Sequence, residues 1–330
     1  MTKRRRGVVV HCLLLAGLAC LEAAAQAAHA TPAMRVARSA QADQAVQAAQ
    51  AGQAAPETVR HLVKGMVVSV STAQRTFVVS HDAIEGVMDP MTMRFEASDP
   101  RELDGLTPGV TVTFTLLLTD GVARAEGITV VPYDSAELDP MVAKRLRLLQ
   151  ALTGTPRPDP LPVGETVPDF TLTDQTGARV SLSQLRGQVV VVNFVYTSCA
   201  LTQFCFRVTN HFATVARRFE DRLGRELTLL TVTFDPARDT VEVLREYASQ
   251  WNADPRAWRF LTGEAADIQR VCDLFGVDFY PDEGLMNHSL RTAVIDGAGT
   301  LVGRIEGNEY SAAQLGDLVA DVLSRPSRAR

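Results

Sequence analysis

The segment VVVVNFVYTSCALTQFC, residues 189–205, decides how the second half of this 330-residue chain folds. Its first seven residues carry no polar/apolar alternation, so they predict a strand covered on both faces, in the middle of a sheet. Cys199 then falls in a loop just past the strand, and Cys205 falls near the start of a helix predicted over residues 203–220. Five residues between the cysteines cannot all lie on one helical face, so Cys199 is expected to fold back toward Cys205. A helix N-terminus favours thiolate through its dipole and its free N–H groups, which predicts a lowered thiol pKa. Two thiolates there can release electrons as a disulfide or hold a soft metal ion.

Working outward from that strand, DFTLTDQTGARVSL (169–182) predicts a hairpin, and LTLLTVTF (227–234) and WRFLTG (258–263) predict further strands. Helices are predicted over TVEVLREYASQW (240–251), EAADIQRVCDLFG (264–276) and from Ser311 to Leu323. RTAVIDGAGTLVGRIEG (291–307) predicts a hairpin about Asp296-Gly297. Strands flanked by helices, with a cysteine pair after the first buried strand, describe an α/β thioredoxin-like domain over residues 163–325.

The preceding region has another period. KGMVVSV, RTFVVSH, MTMRF, VTVTFTLLL and VARAEGITVV, all between Lys64 and Val131, are short β-rich segments, and Val110, Val112, Phe114 and Leu116 alternate with threonines. Asp120-Gly121 supplies a hairpin turn. Five strands without a helix predict a small all-β barrel of OB type over residues 60–132. Within it, HDAIEGVMDPMTMRF (81–95) holds three of the chain's eight methionines. Met91 and Met93 share one strand face, as His81 does with Val79 and Phe77, so pairing of the two strands brings His81 to the methionines. Met88 in the intervening loop is placed to close the site. Thioether sulfur is soft, needs no deprotonation and forms no disulfide, so this set predicts a Cu(I) site.

Two resemblances follow from these motifs. Residues 60–132 resemble the CusF family of periplasmic copper- and silver-binding domains, whose motif is a histidine, a loop and MTMRF or MTMPF. The resemblance implies His81, Met91 and Met93 as ligands, with Met88 standing where the best-known members carry a tryptophan. Residues 163–323, through DFTLTDQTG, FVYTSC, TFDPARDT and HSLRTAVIDGAGTLV, resemble the SCO/SenC family of copper chaperones. That resemblance implies Cys199, Cys205 and His288 as ligands for Cu(I) or Cu(II), and places Asp235 near the site. The family usually has three residues between its cysteines, with a proline after each. Here there are five, and Ala200 and Phe206 follow. Arg238 is expected to pair or cap locally, Cys272 to be a buried packing residue, and His61 and His211 to be surface residues.

The ends set the compartment. MTKRRRGVVVHCLLLAGLAC has a basic head and an apolar run too short to span a bilayer comfortably, and Ala28-His29-Ala30 offers a cleavage site, so residues 1–30 predict a secretory signal peptide. An uncleaved leader would serve as a membrane anchor. Residues 31–59 are Ala/Gln-rich and predict a disordered tether. Residues 133–162, from a short helical pattern into TGTPRPDPLPVG, predict a linker. Loss of residues 1–30 removes Lys3, Arg4, Arg5, Arg6 and Glu22, leaving 29 basic and 37 acidic residues, a net charge of −8. No basic patch points to nucleic acid. The three cysteines that remain exclude a simple disulfide framework.

These readings predict a periplasmic copper chaperone that delivers Cu(I) to a respiratory oxidase in cytochrome c oxidase assembly, with a copper-requiring oxidase subunit or other copper protein and a thiol-disulfide reductant as partners. The oxidase comes from the resemblance alone. Two rival readings are a thiol-disulfide reductase acting through Cys199 and Cys205, and a copper-buffering protein for tolerance.

Overall fold

The computed structural model describes residues 59–119, 122–133, 148, 158–199, 202–282 and 285–325. The expected signal peptide, nearly all of the expected tether, the Asp120-Gly121 turn and most of the expected linker lie outside the described residues. The barrel and the sheet domain form one unit, Thr58–Arg330.

Five strands, β1 (Val59–Ser71), β2 (Thr76–His81), β3 (Met91–Ala97), β4 (Thr111–Thr119) and β5 (Val122–Val130), close a barrel in the order β1-β2-β3-β5-β4. The sequence expectation of an OB-type barrel holds. Neighbours are antiparallel except β3 and β5, whose parallel pairing of Glu96 with Arg124 and Ala97 with Ala125 closes the ring. Phe77, Phe95 and Phe114 fill the interior, with ring centroids 4.9–5.8 Å apart and tilted or edge-on, the arrangement their ring quadrupoles favour. Gly65 pairs with His81 across β1 and β2. A Cβ there would stand 2.5 Å from Val79 Cγ1 and 2.7 Å from His81 Cα, so only glycine lets β1 cross this close beneath the histidine.

The second domain is a seven-stranded mixed sheet in the order β14-β13-β8-β9-β10-β6-β7. Its strands are β6 (Thr171–Asp174), β7 (Arg179–Ser181), β8 (Val189–Val195), β9 (Leu227–Thr233), β10 (Trp258–Thr262), β13 (Arg291–Ile295) and β14 (Leu301–Glu306). A separate two-stranded ribbon pairs β11 (Phe279–Asp282) with β12 (Leu285–His288). Strands β8, β9 and β10 run parallel at the centre, and all seven residues of β8 are buried, as the unbroken apolar run predicts. Helices α1 (Arg207–Arg218), α2 (Val241–Gln250), α3 (Ala265–Phe275) and α4 (Ala312–Ser324) cover the faces. Val190, Val192 and Phe194 pack with Ile268, Val271, Cys272 and Phe275 of α3, while Val189 and Val191 pack with Phe212 of α1 and Leu315, Leu318 and Val319 of α4. The thioredoxin-like expectation therefore also holds. The end of the expected linker is already docked, since Leu161 donates its N–H to Leu274 O at 3.0 Å.

Helix α4 also carries the barrel. Met66 of β1, 1% exposed, packs into the core that α4 shares with the sheet. Asp317 accepts from Ser80 Oγ at 2.7 Å, from Thr92 Oγ1 at 2.6 Å and from the Arg218 guanidinium at 2.6 Å. Burial alone would raise this carboxyl, but the hydrogen bonds from Thr92, Ser80 and Arg218 hold it below the ordinary carboxylate range. Gln314 caps α4 by accepting the Ser311 N–H at 2.8 Å, and it donates to Ser80 O and Asp82 Oδ1, both at 3.2 Å.

Candidate metal centres

In the barrel, β2 and β3 pair in the register His81–Met91, Ser80–Thr92, Val79–Met93 and Phe77–Phe95. The pleat sends Phe77 and Phe95 into the core, so His81, Met91 and Met93 occupy the same face nearer the barrel's mouth. His81 is 1% exposed, Met93 is half-buried against the core and Met91 is 50% exposed. Met88 lies in a short loop closed by an Ile84–Met88 bridge and packs against the barrel core. The structure thus brings His81 directly opposite Met91, with Met93 two pairs further in on the same face, and leaves Met88 on the loop above.

His81 is itself prepared for a ligand. Its Nδ1 lies 2.7 Å from Asp82 O, an atom that can only accept, so Nδ1 carries the proton and Nε2 presents a lone pair. Nε2 is buried and has no hydrogen-bond partner among the described residues. A buried lone pair beside thioethers suits a soft cation, which the donor set fits.

The second centre forms where β8 ends. Tyr196 is buried, and the Thr197 N–H and hydroxyl both donate to Asp239, whose other hydroxyl donor is Thr233 on β9. Asp239 therefore pins the cysteine loop to the sheet. Burial raises its carboxyl pKa, against the pull of those hydrogen bonds. Cys199 turns back, its N–H 3.4 Å from Tyr196 O, and its thiol hydrogen-bonds that of Cys205. Cys205 sits in a single π-helical turn, Thr202–Phe206, that leads into α1. His288, at the end of β12, packs its ring against Phe234 at 4.7 Å and edge-on to Tyr196 at 5.8 Å. Its Nδ1 lies 3.1 Å from Ser289 O, so this imidazole too presents Nε2, 3.7 Å from Cys205 Sγ.

Cys199, Cys205 and Cys272 form no disulfide among the described residues. Among the described residues, no group of three or more His, Cys, Asp and Glu side chains is arranged to hold a metal ion, so Cys199, Cys205 and His288 are assembled but not closed about one point.

Several expectations need correction. The Cys205 thiol is pushed well above its ordinary pKa, not lowered, by the hydrogen bond it donates to Cys199, by burial and by the charge of Cys199. It lies inside the turn before α1, 1% exposed, where burial and a neighbouring sulfur outweigh the helix dipole. His211 is a buried residue, not a surface one. It packs on Tyr310 at 4.9 Å, and burial, then the charge of Arg207, lower its pKa to about 4. His61 lies within β1 and is half-buried. Asp235 is buried in an ion pair with Arg238 at 3.1 Å, the local pairing expected of that arginine. Cys272 is buried in α3, as its apolar pattern predicts. Sequence reasoning missed Asp239, Tyr196 and Phe234. Asp239 stood in the quoted motif TFDPARDT, and Tyr196 closed the buried strand run.

Comparison with known proteins gives two family matches. Residues 159–324, half of the chain, match the SCO1/SenC family model, and residues 60–130 match the model described as copper binding periplasmic protein CusF. The SCO2-like protein of Rickettsia typhi is 30% identical over 151 residues, which cover 44% of this chain and 70% of that protein. The SCO1 protein homolog of Bacillus subtilis is 28% identical over 102 residues, covering 31% of this chain and 51% of that protein. The crystal structure of yeast Sco1 with copper bound is 24% identical, with a TM-score of 0.43, covering 52% of this chain and 92% of that one.

Proposed function

The chain belongs to the SCO1/SenC family and carries a CusF-like copper-binding domain, and from that premise we propose that it is an exported copper chaperone. It takes up Cu(I) in the periplasm and delivers it to a respiratory oxidase during cytochrome c oxidase assembly. His81, Met91 and Met93, with Met88 as an auxiliary sulfur, are the proposed ligands in the barrel. Cys199, Cys205 and His288 are the proposed ligands in the thioredoxin-like domain, for Cu(I) and for Cu(II).

One observation carries the reading. Both histidines spend Nδ1–H on the carbonyl of the next residue and turn Nε2 toward a soft sulfur group or an unpartnered space. That is how a protein fixes the tautomer of an imidazole that is to ligate a metal. The neutral thioethers suit reversible uptake, and the thiolates give tighter binding that releases protons. Copper stoichiometry of the purified protein tests this. We expect two Cu(I) per chain, one after Cys199→Ser with Cys205→Ser, and one after Met91→Ile with Met93→Ile. Unchanged thiolate-to-Cu(II) charge-transfer absorption in both single cysteine variants would remove Cys199 and Cys205 from the site.

A second reading rests on the hydrogen bond between Cys199 and Cys205. Two thiols this close can cycle through a disulfide, which suits a reductase that keeps a client's metal-binding cysteines reduced. Such an enzyme needs neither His288 nor the methionines. Reduction of a client disulfide at the wild-type rate by the Met91→Ile, Met93→Ile, His288→Ala chain would favour it.

A further inference from the structure

The barrel's proposed site lies on strands whose outer face is gripped by the other domain. We propose that Asp317 and Gln314 of α4 are positioning residues for the His81, Met91 and Met93 site, holding β2 and β3 in the register that puts the histidine opposite the methionines. This inference rests on the reading of those three residues as copper ligands.

The geometry is specific. Ser80 and Thr92 are themselves a cross-strand pair, flanked on one side by His81–Met91 and on the other by Val79–Met93. Side chains alternate along a strand, so Ser80 points away from the face of His81, and Thr92 away from the face of Met91 and Met93. Both hydroxyls donate to the same carboxylate oxygen, Asp317 Oδ2. That oxygen therefore ties β2 to β3 at the rung between the proposed ligands. Gln314, three residues earlier on α4 and so on the same helix face, holds Ser80 O and Asp82 Oδ1. Both chain neighbours of His81 are fixed in this way, and Asp82 is also the residue whose carbonyl sets the tautomer of His81.

The strands need such a tie. They are joined by residues 82–90, a loop rich in Asp, Glu, Gly and Pro, and β3 is exposed at Met91 and Thr92. A slip of β3 by one residue would turn Met91 and Met93 to the outside and bring Thr92 inward. It would also break the Thr92 bond to Asp317 Oδ2, leaving Ser80 alone on that oxygen. The hydrogen-bond partners of metal ligands commonly set affinity within a factor of 10–100, and a tie on the backbone that carries three ligands acts through the same geometry.

The test uses the full chain carrying Cys199→Ser and Cys205→Ser, so that the barrel is the only proposed Cu(I) site. Affinity is measured by competition with a chromophoric Cu(I) chelator, and the sulfur shell by X-ray absorption. Ser80→Ala with Thr92→Val removes both hydroxyls and leaves α4 and Arg218 intact. We expect about a tenfold loss of Cu(I) affinity, with fewer sulfurs around the copper, while circular dichroism stays unchanged. Asp317→Leu should do the same. Thr92→Ser, which keeps the hydroxyl, should restore the parent affinity when Ser80 is present. Parent-like affinity and sulfur shell in both the Ser80→Ala, Thr92→Val and the Asp317→Leu chains would overturn the positioning role and leave the barrel site standing. A parent chain that holds no sulfur-ligated Cu(I) would overturn the site and the positioning role together.

Discussion

His211 illustrates how a single buried group registers in the behaviour of the chain. Burial lowers its pKa to about 4 from an ordinary 6.5, so the folded state resists a proton that the unfolded chain accepts. Between those two values the unfolded state binds more protons, and stability therefore declines as pH falls from about 6.5 toward 4. His211→Gln should flatten that decline, measured as the urea midpoint at pH 7 and pH 5. An undiminished decline in the variant would assign it to other groups. Cys272 gives a contrasting case. Filling a site at 0% exposure in α3, it should cost about 1–2 kcal/mol when replaced by Ala, yet leave copper stoichiometry at the wild-type value. Both residues were single letters in apolar surroundings. The helical period placed Cys272 in the core, but it gave no such signal for His211. Burial of a histidine depends on what the opposite element presents, here Tyr310 from 99 positions later.

At the scale of elements, period and turn chemistry made most of the architecture legible. The unalternating run of β8, the Thr-alternating run of β4 and the apolar stripe of α3 each predicted their burial correctly. Two elements at the thiol centre escaped. The ribbon of β11 and β12 delivers His288, but it consists of four-residue strands containing Pro281, too short for a period to declare itself. The π-helical turn Thr202–Phe206 holds Cys205, and no sequence period marks it before the chain folds. The raised Cys205 pKa belongs to that turn, which holds the thiol against Cys199 and in the core. Gly65 yields an element-scale prediction. Gly65→Ala would drive a methyl into Val79 and the backbone of His81, so β1 and β2 must separate. We expect a loss of about 1–3 kcal/mol by chemical denaturation and weaker Cu(I) binding at the barrel. Wild-type stability with wild-type binding would show that the strands yield without disturbing His81.

At the scale of the molecule, barrel and sheet domain share a core through Met66 and a polar seam through α4. Met66→Ala should destabilise the chain by about 2–5 kcal/mol, and calorimetry should show the barrel melting apart from the sheet domain. A single unchanged transition would mean the seam holds without it. Helix α1 bears on the proposed transfer of copper. It begins just after Cys205, and at its last residue Arg218 meets Asp317, the carboxylate that also grips β2 and β3. Twelve helical residues span about 18 Å, several times the reach of any metal–sulfur bond. On that separation we expect that, while the domains stay docked, one ion is not ligated by both proposed centres at once. Hand-over within a chain then needs undocking, and hand-over between chains does not. After barrel-loaded chains are mixed with empty ones, the rate at which copper reaches thiols should rise with protein concentration. A fast, concentration-independent rate would show instead that the barrel swings free of α4 during turnover.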